Sequence, residues 1–136
     1  MTTGTFDTQA HAGAMRAQGF WLDQTIDDFL AASIADTPHK TALVAYRADR
    51  EGSRRISFEQ LGDLTARAAA ALQGLGVGPG DVVAVQVPNW WEFVVVALAT
   101  YRLGAIVIPL MPIFRGRELA YMLGFSQAKV LVVPKQ

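Results

Sequence analysis

Apolar residues recur along this chain with two different periods, and the switches between them lay out its elements. Residues 1–20 are small and polar, show no period and read as a flexible N-terminal arm. From Thr25 the spacing becomes helical, with Ile26, Phe29, Leu30 and Ile34 at three- and four-residue steps. Thr25 stands where a cap is needed, and Asp27 and Asp28 fall in the first turn, where the helix dipole favours negative charge. Asp36-Thr37-Pro38 stops this helix, because the residue before a proline is pushed out of the helical region. Residues 41–46 (TALVAY) are strand-like, residues 47–55 read as a polar hairpin loop, and residues 55–57 supply the returning strand. Ser57 then opens SFEQ, a capping box with Gln60 at the third helical position. The stripe Leu61, Leu64, Ala68, Ala71, Leu72 and Leu75 follows, and Gly76 is placed to end the helix.

Three strand-and-helix repeats come next. Residues 81–87 (DVVAVQV) are β-rich without clean alternation, as expected of a strand covered on both faces. Asn89 is the expected cap of a helix over roughly residues 90–103, and residues 105–110 form a second buried strand. A loop at 111–116 leads to a helix near 117–125, and residues 129–133 (KVLVV) give a third strand. The pattern predicts an α/β fold with a parallel, doubly wound sheet joined by right-handed crossovers. Such a sheet needs cover on both faces, and three strands bring too few helices to provide it. The expected architecture is therefore incomplete, with residues 21–136 forming the first part of a larger domain.

Composition strengthens that picture. The chain is 51% hydrophobic and only 18% charged, whereas a small free-standing domain covers its surface with charge. Twelve basic residues balance twelve acidic ones, so no strongly basic field exists to hold nucleic acid. The absence of cysteine excludes disulfides, thiolate metal sites and a cysteine nucleophile, and fits a cytoplasmic protein. Residues 1–19 show no basic start followed by an apolar run, so no signal peptide is expected. Residues 93–110 approach the length of about 17–25 apolar residues that a membrane span requires. Arg102 and Gly104 interrupt the middle, however, and Pro109 lies near the end, so a helix followed by a strand is expected there.

Four segments carry a family resemblance: PHKTALV at 38–44, ISFEQL at 56–61, LGVGPGDVVAVQVPN at 75–89, and LGAIVIPLMP at 103–112 with REL at 117–119 and AKVLVV at 128–133. In order and separation they resemble the adenylate-forming family of acyl-CoA synthetases, adenylation domains and luciferases. AMRAQGFW at 14–21, NWWEFV at 89–94 and PLMPIFR at 109–115 resemble its cyclohexanecarboxylate-CoA ligase branch. The resemblance implies the N-terminal part of an ATP-dependent ligase of fatty acid metabolism, acting on a small alicyclic or short aliphatic acid. It implies ATP, coenzyme A and Mg²⁺ as cofactors of the full-length enzyme, with none bound to these residues alone. The family's Ser/Thr/Gly-rich phosphate loop ending in Pro-Lys-Gly has no counterpart, since Pro134-Lys135-Gln136 lacks the glycine-rich lead-in. Its Thr-Glu metal site, ribose-binding Asp and C-terminal Lys also have no matching positions. No catalytic residue and no metal ligand is therefore expected among the 136. The chain alone is expected to be inactive and to self-associate, and the alternative is a stand-alone α/β binding or interaction domain.

Several residues invite a functional reading beside a structural one. GLGVGPG at 74–80 precedes a strand, whereas a dinucleotide loop follows one, so it reads as a turn, with Asp81 entering the strand. Asn89, Trp90 and Trp91 lie just past a strand's C-terminal end, the side on which open α/β sheets bind ligands. They form either a helix cap with packed tryptophans or an aromatic wall near an acyl pocket. Phe114, Arg115 and Arg117 follow the next strand end, as a solvated loop or as a basic loop near the coenzyme A phosphates, which suit a guanidinium fork. Arg115, Phe114, Trp90 and Trp91 are the candidate ligand contacts. His11 and His39 lack partners at metal spacing and read as surface residues. Arg50, Glu51, Arg54 and Arg55 read as a solvated, mixed-charge hairpin.

Overall fold

A computed structural model describes residues 7–47 and 52–135. Each helix needs partners for its first free N–H groups, and three find them in a neighbouring side chain. Asp7 accepts from the N–H groups of Gln9 and Ala10 to open α1 (Thr8–Ala17). Thr25 and Asp28 form a reciprocal box on α2 (Ile26–Asp36), and Ser57 and Gln60 do the same on α3 (Phe58–Gly74). The first of these helices lies within the stretch read as a flexible arm. It has no apolar period to betray it, and rests on alanine-rich composition and the Asp7 cap.

α3 and α4 (Trp91–Arg102) end alike. Gly76 donates to Gln73 O and Val77 to Leu72 O, while Gly104 donates to Tyr101 O and Ala105 to Thr100 O. Both glycines sit at positive φ, 84° and 66°, where a Cβ is unwelcome, and each delivers the chain directly towards a strand. α5 (Gly116–Ser126) ends on Gln127, a non-glycine residue at φ 53°.

β1 (Thr41–Tyr46) and β2 (Ser53–Ser57) pair as an antiparallel hairpin. β3 (Val82–Val85) is the centre of a parallel sheet ordered β4–β3–β5, flanked by β4 (Ile106–Pro109) and β5 (Val130–Val132). The three parallel strands fall where the pattern predicts them, one or two residues shorter at each end. The chain runs from β3 to β4 and back across to β5, with α4 packed against β3 and β4.

Two apolar clusters hold these elements together. On one sheet face Val83, Val85, Val107, Val130 and Val132 meet Ala69, Leu72, Ala99 and Ala105. Leu30, Ile56, Leu61 and Val95 form the second cluster, between α2, the hairpin, α3 and α4. α4 thus serves both, and Arg102, its Nε donating to both Asp27 oxygens (2.8 and 3.0 Å) with Nη2 2.7 Å from Oδ1, fixes its end to α2. α2 and α3 approach closely at Gly62, where a Cβ would collide with the Ile34 side chain. The other sheet face is poorly covered: Ile106, Leu131 and Val133 are exposed, and α5 buries none of its residues. Tyr121 and Phe125 stack on each other at 6.0 Å, both open to solvent. No helix among the described residues is long and apolar enough to cross a membrane.

Opposite the loops discussed below, Lys129 Nζ donates to Gly76 O (2.6 Å) and to Asp81 Oδ2 (2.9 Å), and Gly78 N–H donates to the same carboxylate oxygen (2.8 Å). These bonds make 76–81 a structural turn, as the glycine spacing implies. The Lys129 hydrogen bond first, and then that of Gly78, holds the Asp81 carboxyl below its ordinary value. A carboxyl depressed on folding stabilises the fold above its unfolded pKa of about 3.9 and stops doing so as pH falls through the folded value. The urea midpoints of the native chain and Asp81→Asn should therefore differ near neutrality and converge as pH falls below about 4. Parallel curves across that range would remove Asp81 as the source.

Two buried threonines give a second test. Thr100 Oγ1 donates to Val96 O at 2.8 Å, whereas Thr65 Oγ1 is buried without a partner among the described residues. An unsatisfied buried hydroxyl costs about 1–3 kcal/mol, so Thr65→Val should stabilise by about 1 kcal/mol while Thr100→Val does not. Urea unfolding with an unchanged m-value is the measurement, and a loss of stability in Thr65→Val refutes the assignment.

Candidate functional site

Parallel strands bring their C-terminal ends together, so the segments after β3 and β4 lie side by side at one edge. The main-chain bonds Gln86 N–H to Val132 O and Leu110 N–H to Val85 O, both 2.9 Å, extend the pairing to that edge. Gln86 Nε2 then donates to Met111 O (3.1 Å) and Phe114 O (2.9 Å), drawing the β4–α5 loop against the end of β3.

The tryptophans are not placed as the cap reading requires. Trp90, not Asn89, is the N-cap of α4, because a tight turn from Trp90 N–H to Pro88 O moves the helix start one residue on. An indole offers no acceptor oxygen, so the first turn of α4 has no side-chain cap. Trp90 packs on the sheet-side cluster and Trp91 on the hairpin-side cluster. Both rings also carry a cation: the Arg47 guanidinium lies 3.6 Å from the Trp90 centroid, and that of Arg54 4.1 Å from the Trp91 centroid. Arg47 approaches Glu92 at 3.9 Å, and the other Glu92 oxygen, Oε2, is buried without a hydrogen bond among the described residues.

Three hollows open around these groups. One of about 280 Å³ is lined by Ala45, Arg47, Arg54, Trp91 and Glu92. A second, about 330 Å³, lies between β1 and the start of α4, against Leu43, Tyr46, Asn89, Trp90 and Trp91. The third, about 180 Å³, sits at the sheet edge against Val87, Asn89, Phe93, Pro109 and Leu110.

Phe114 and Arg115 line none of the three. Arg115 Nη1 donates back to Pro112 O (2.8 Å) and Phe114 O (3.1 Å), and its N–H donates to Glu118 Oε2 (3.0 Å). That backbone donor is the first cause holding the Glu118 carboxyl below its ordinary value. The four candidate contacts therefore split into a tryptophan–arginine cluster on the hairpin side and a loop on the β4 side, with residues 86–89 between them.

Sequence reasoning missed Arg47, Arg54 and Gln86. The sequence places Arg47 in a polar hairpin loop, yet its side chain is only 18% exposed, whereas Arg54 and Arg55 are exposed as a solvated face requires, with Arg54 also lying over Trp91. Arg50 and Glu51 lie outside the described residues. The signal for Gln86 was present, as the one polar residue within VVAVQV. His39 is exposed and lies 3.5 Å from Glu59, while His11 meets Trp21 edge-on at 5.6 Å. Among the described residues no three His, Asp or Glu side chains gather to hold a metal. With the glycine-rich segment committed to its turn, the residues here do not fit a Mg²⁺ ion or a triphosphate cradle.

A parallel sheet with its connecting loops gathered at the carboxyl ends of the strands defines an α/β ligand-binding class. Within that class, the chain belongs to the AMP-binding enzyme family, whose profile matches residues 30–136. It is 40% identical over 122 residues to a salicyl-AMP ligase / salicyl-S-ArCP synthetase of Mycobacterium tuberculosis, covering 90% of this chain and 21% of that protein. A medium-chain fatty-acid–CoA ligase of Escherichia coli is 34% identical over 132 residues, covering 97% of this chain and 22% of that one. The apo structure of MbtA from Mycobacterium smegmatis superposes with a TM-score of 0.76 at 36% identity, over 93% of this chain and 23% of its own. The chain thus spans about a fifth of the length of these two curated relatives.

Proposed function

We propose that these residues are the opening part of an ATP-dependent ligase that activates a small carboxylic acid as its adenylate and passes the acyl group to a thiol, with coenzyme A as acceptor. The family match over residues 30–136 carries this reading. In the reaction a carboxylate oxygen attacks the α-phosphorus of ATP and pyrophosphate leaves. The thiol sulfur then attacks the acyl carbon, and AMP leaves with its electron pair. Handling of the ATP phosphates, the metal and the proton falls to residues beyond these, so the 136-residue chain alone is inactive. Residues 1–20 serve as its arm and 21–136 as part of the adenylate-binding domain of a cytoplasmic enzyme.

For the acid, we favour a small ring. The wording NWWEFV and PLMPIFR resembles the cyclohexanecarboxylate branch, and a relative named for salicylate also takes a ring-bearing acid. Trp90 and Trp91 supply aromatic surface beside hollows at the strand ends, and Arg115 lies on a loop suited to the coenzyme A phosphates. Acid-dependent ATP–pyrophosphate exchange by the full-length protein, run with cyclohexanecarboxylate, salicylate and octanoate, tests this. Fastest exchange with a ring acid is expected, preference for octanoate refutes the ring assignment, and no exchange with any acid refutes the ligase.

The uncovered sheet face favours a second consequence for the isolated chain. Ile106, Leu131, Tyr121 and Phe125 present apolar area with nothing over it, so the isolated chain self-associates. Sedimentation at micromolar concentration should show dimers or larger species, and a clean monomer would refute this.

A further inference from the structure

Gln86 is a polar side chain in a run of buried valine and alanine, between Val85 at 0% exposure and Val87 at 8%. Its two side-chain partners are both carbonyl oxygens, so only the amide nitrogen can face them. Those carbonyls are the key acceptors of the β4–α5 loop. Met111 O also takes the Phe114 N–H at 3.1 Å, and Phe114 O also takes Arg115 Nη1 at 3.1 Å. The Arg115 guanidinium and the Gln86 amide thus share one acceptor. The position of the central strand is passed to the arginine through a single carbonyl.

We propose that Gln86 is a positioning residue, a two-carbonyl clamp that holds the Met111–Phe114 turn so that Arg115 is preset for an anionic ligand, a phosphate of the thiol acceptor. The proposal rests on the ligase reading and on Arg115 as a ligand contact. The loop between Leu110 and Arg115 has no helix or strand of its own, and the clamp reaches it from 25 and 28 residues away in sequence. What the clamp requires is a donor, not a shape. Gln86→Glu keeps the shape but presents acceptors to both carbonyls, Gln86→Met keeps only the bulk, and Gln86→Lys restores a donor.

The test uses the full-length ligase, with KM and kcat for coenzyme A and amide hydrogen exchange over residues 111–115. Gln86→Glu and Gln86→Met should raise the KM for coenzyme A about tenfold, with kcat changed less than about twofold, as expected when a preset binding geometry is lost. Exchange should quicken in the loop but not in β3 or β4, and Gln86→Lys should restore both readouts. Arg115→Ala serves as the reference and should raise the same KM. If Arg115→Ala raises it while the Gln86 variants change neither KM nor loop exchange, the clamp is wrong and the site reading stands. If Arg115→Ala leaves KM unaltered, the loop holds no phosphate and the proposal falls, whatever pyrophosphate exchange shows. Equal loss in Gln86→Lys and Gln86→Met would mean bulk rather than donation, which also overturns it.

Discussion

A helix with apolar residues on opposite sides has to be covered on both, and α4 imposes that requirement on the whole fold. Val94 and Leu98 face the hairpin side, and Phe93 and Val96 the sheet side, so neither core forms without it. The small side chains at 97 and 99 let neighbours come close, as Gly62 does between α2 and α3. At the start of α4 the two tryptophans divide in the same way, one to each cluster. At its other end Arg102 is tied to Asp27 by a pair only partly open to water. The hairpin, α2 and α3 can be seen as what one face of this helix demanded, and the parallel sheet as what the other demanded.

Much of this was legible because the deciding forces are local. Thr25 and Ser57 announce helix starts through side-chain oxygens three residues from their targets, and Gly76 announces an end because it alone tolerates the left-handed backbone there. The parallel strands show as β-branched runs without alternation. What could not be read was set by contacts far apart in sequence. Arg47 looks like one more polar loop residue until the fold brings the start of α4 beneath it. Asn89 has every local qualification for a cap, yet the Pro88 carbonyl takes the Trp90 N–H and moves the start to a residue that cannot cap. α1 was invisible because alanine and a cap make a helix without making a period.

Site and scaffold are joined more closely here than the four candidate contacts suggested. Trp90 and Trp91 are core residues on one side and line hollows on the other, so changes there touch stability and any ligand together. Arg115 is the reverse case, exposed and bonded only within its own loop and helix start. The division of labour matches the general placement of function on loops held by a rigid sheet.

The paired glycine endings of α3 and α4 also bear on how related chains can vary in length. Each helix is closed by a glycine that leads to a strand of the sheet, at once after Gly104 and through the bonded 76–81 turn after Gly76, so helix length and strand position are locked together. One extra residue inside α4 would rotate its first turns by about 100° relative to Gly104. Trp91 would swing away from the hairpin core, and Trp90 away from the sheet. Insertions and deletions within α3 or α4 are therefore excluded far more strongly than substitutions are. Residues 18–24, all exposed, carry no such lock and can change in length at far less cost.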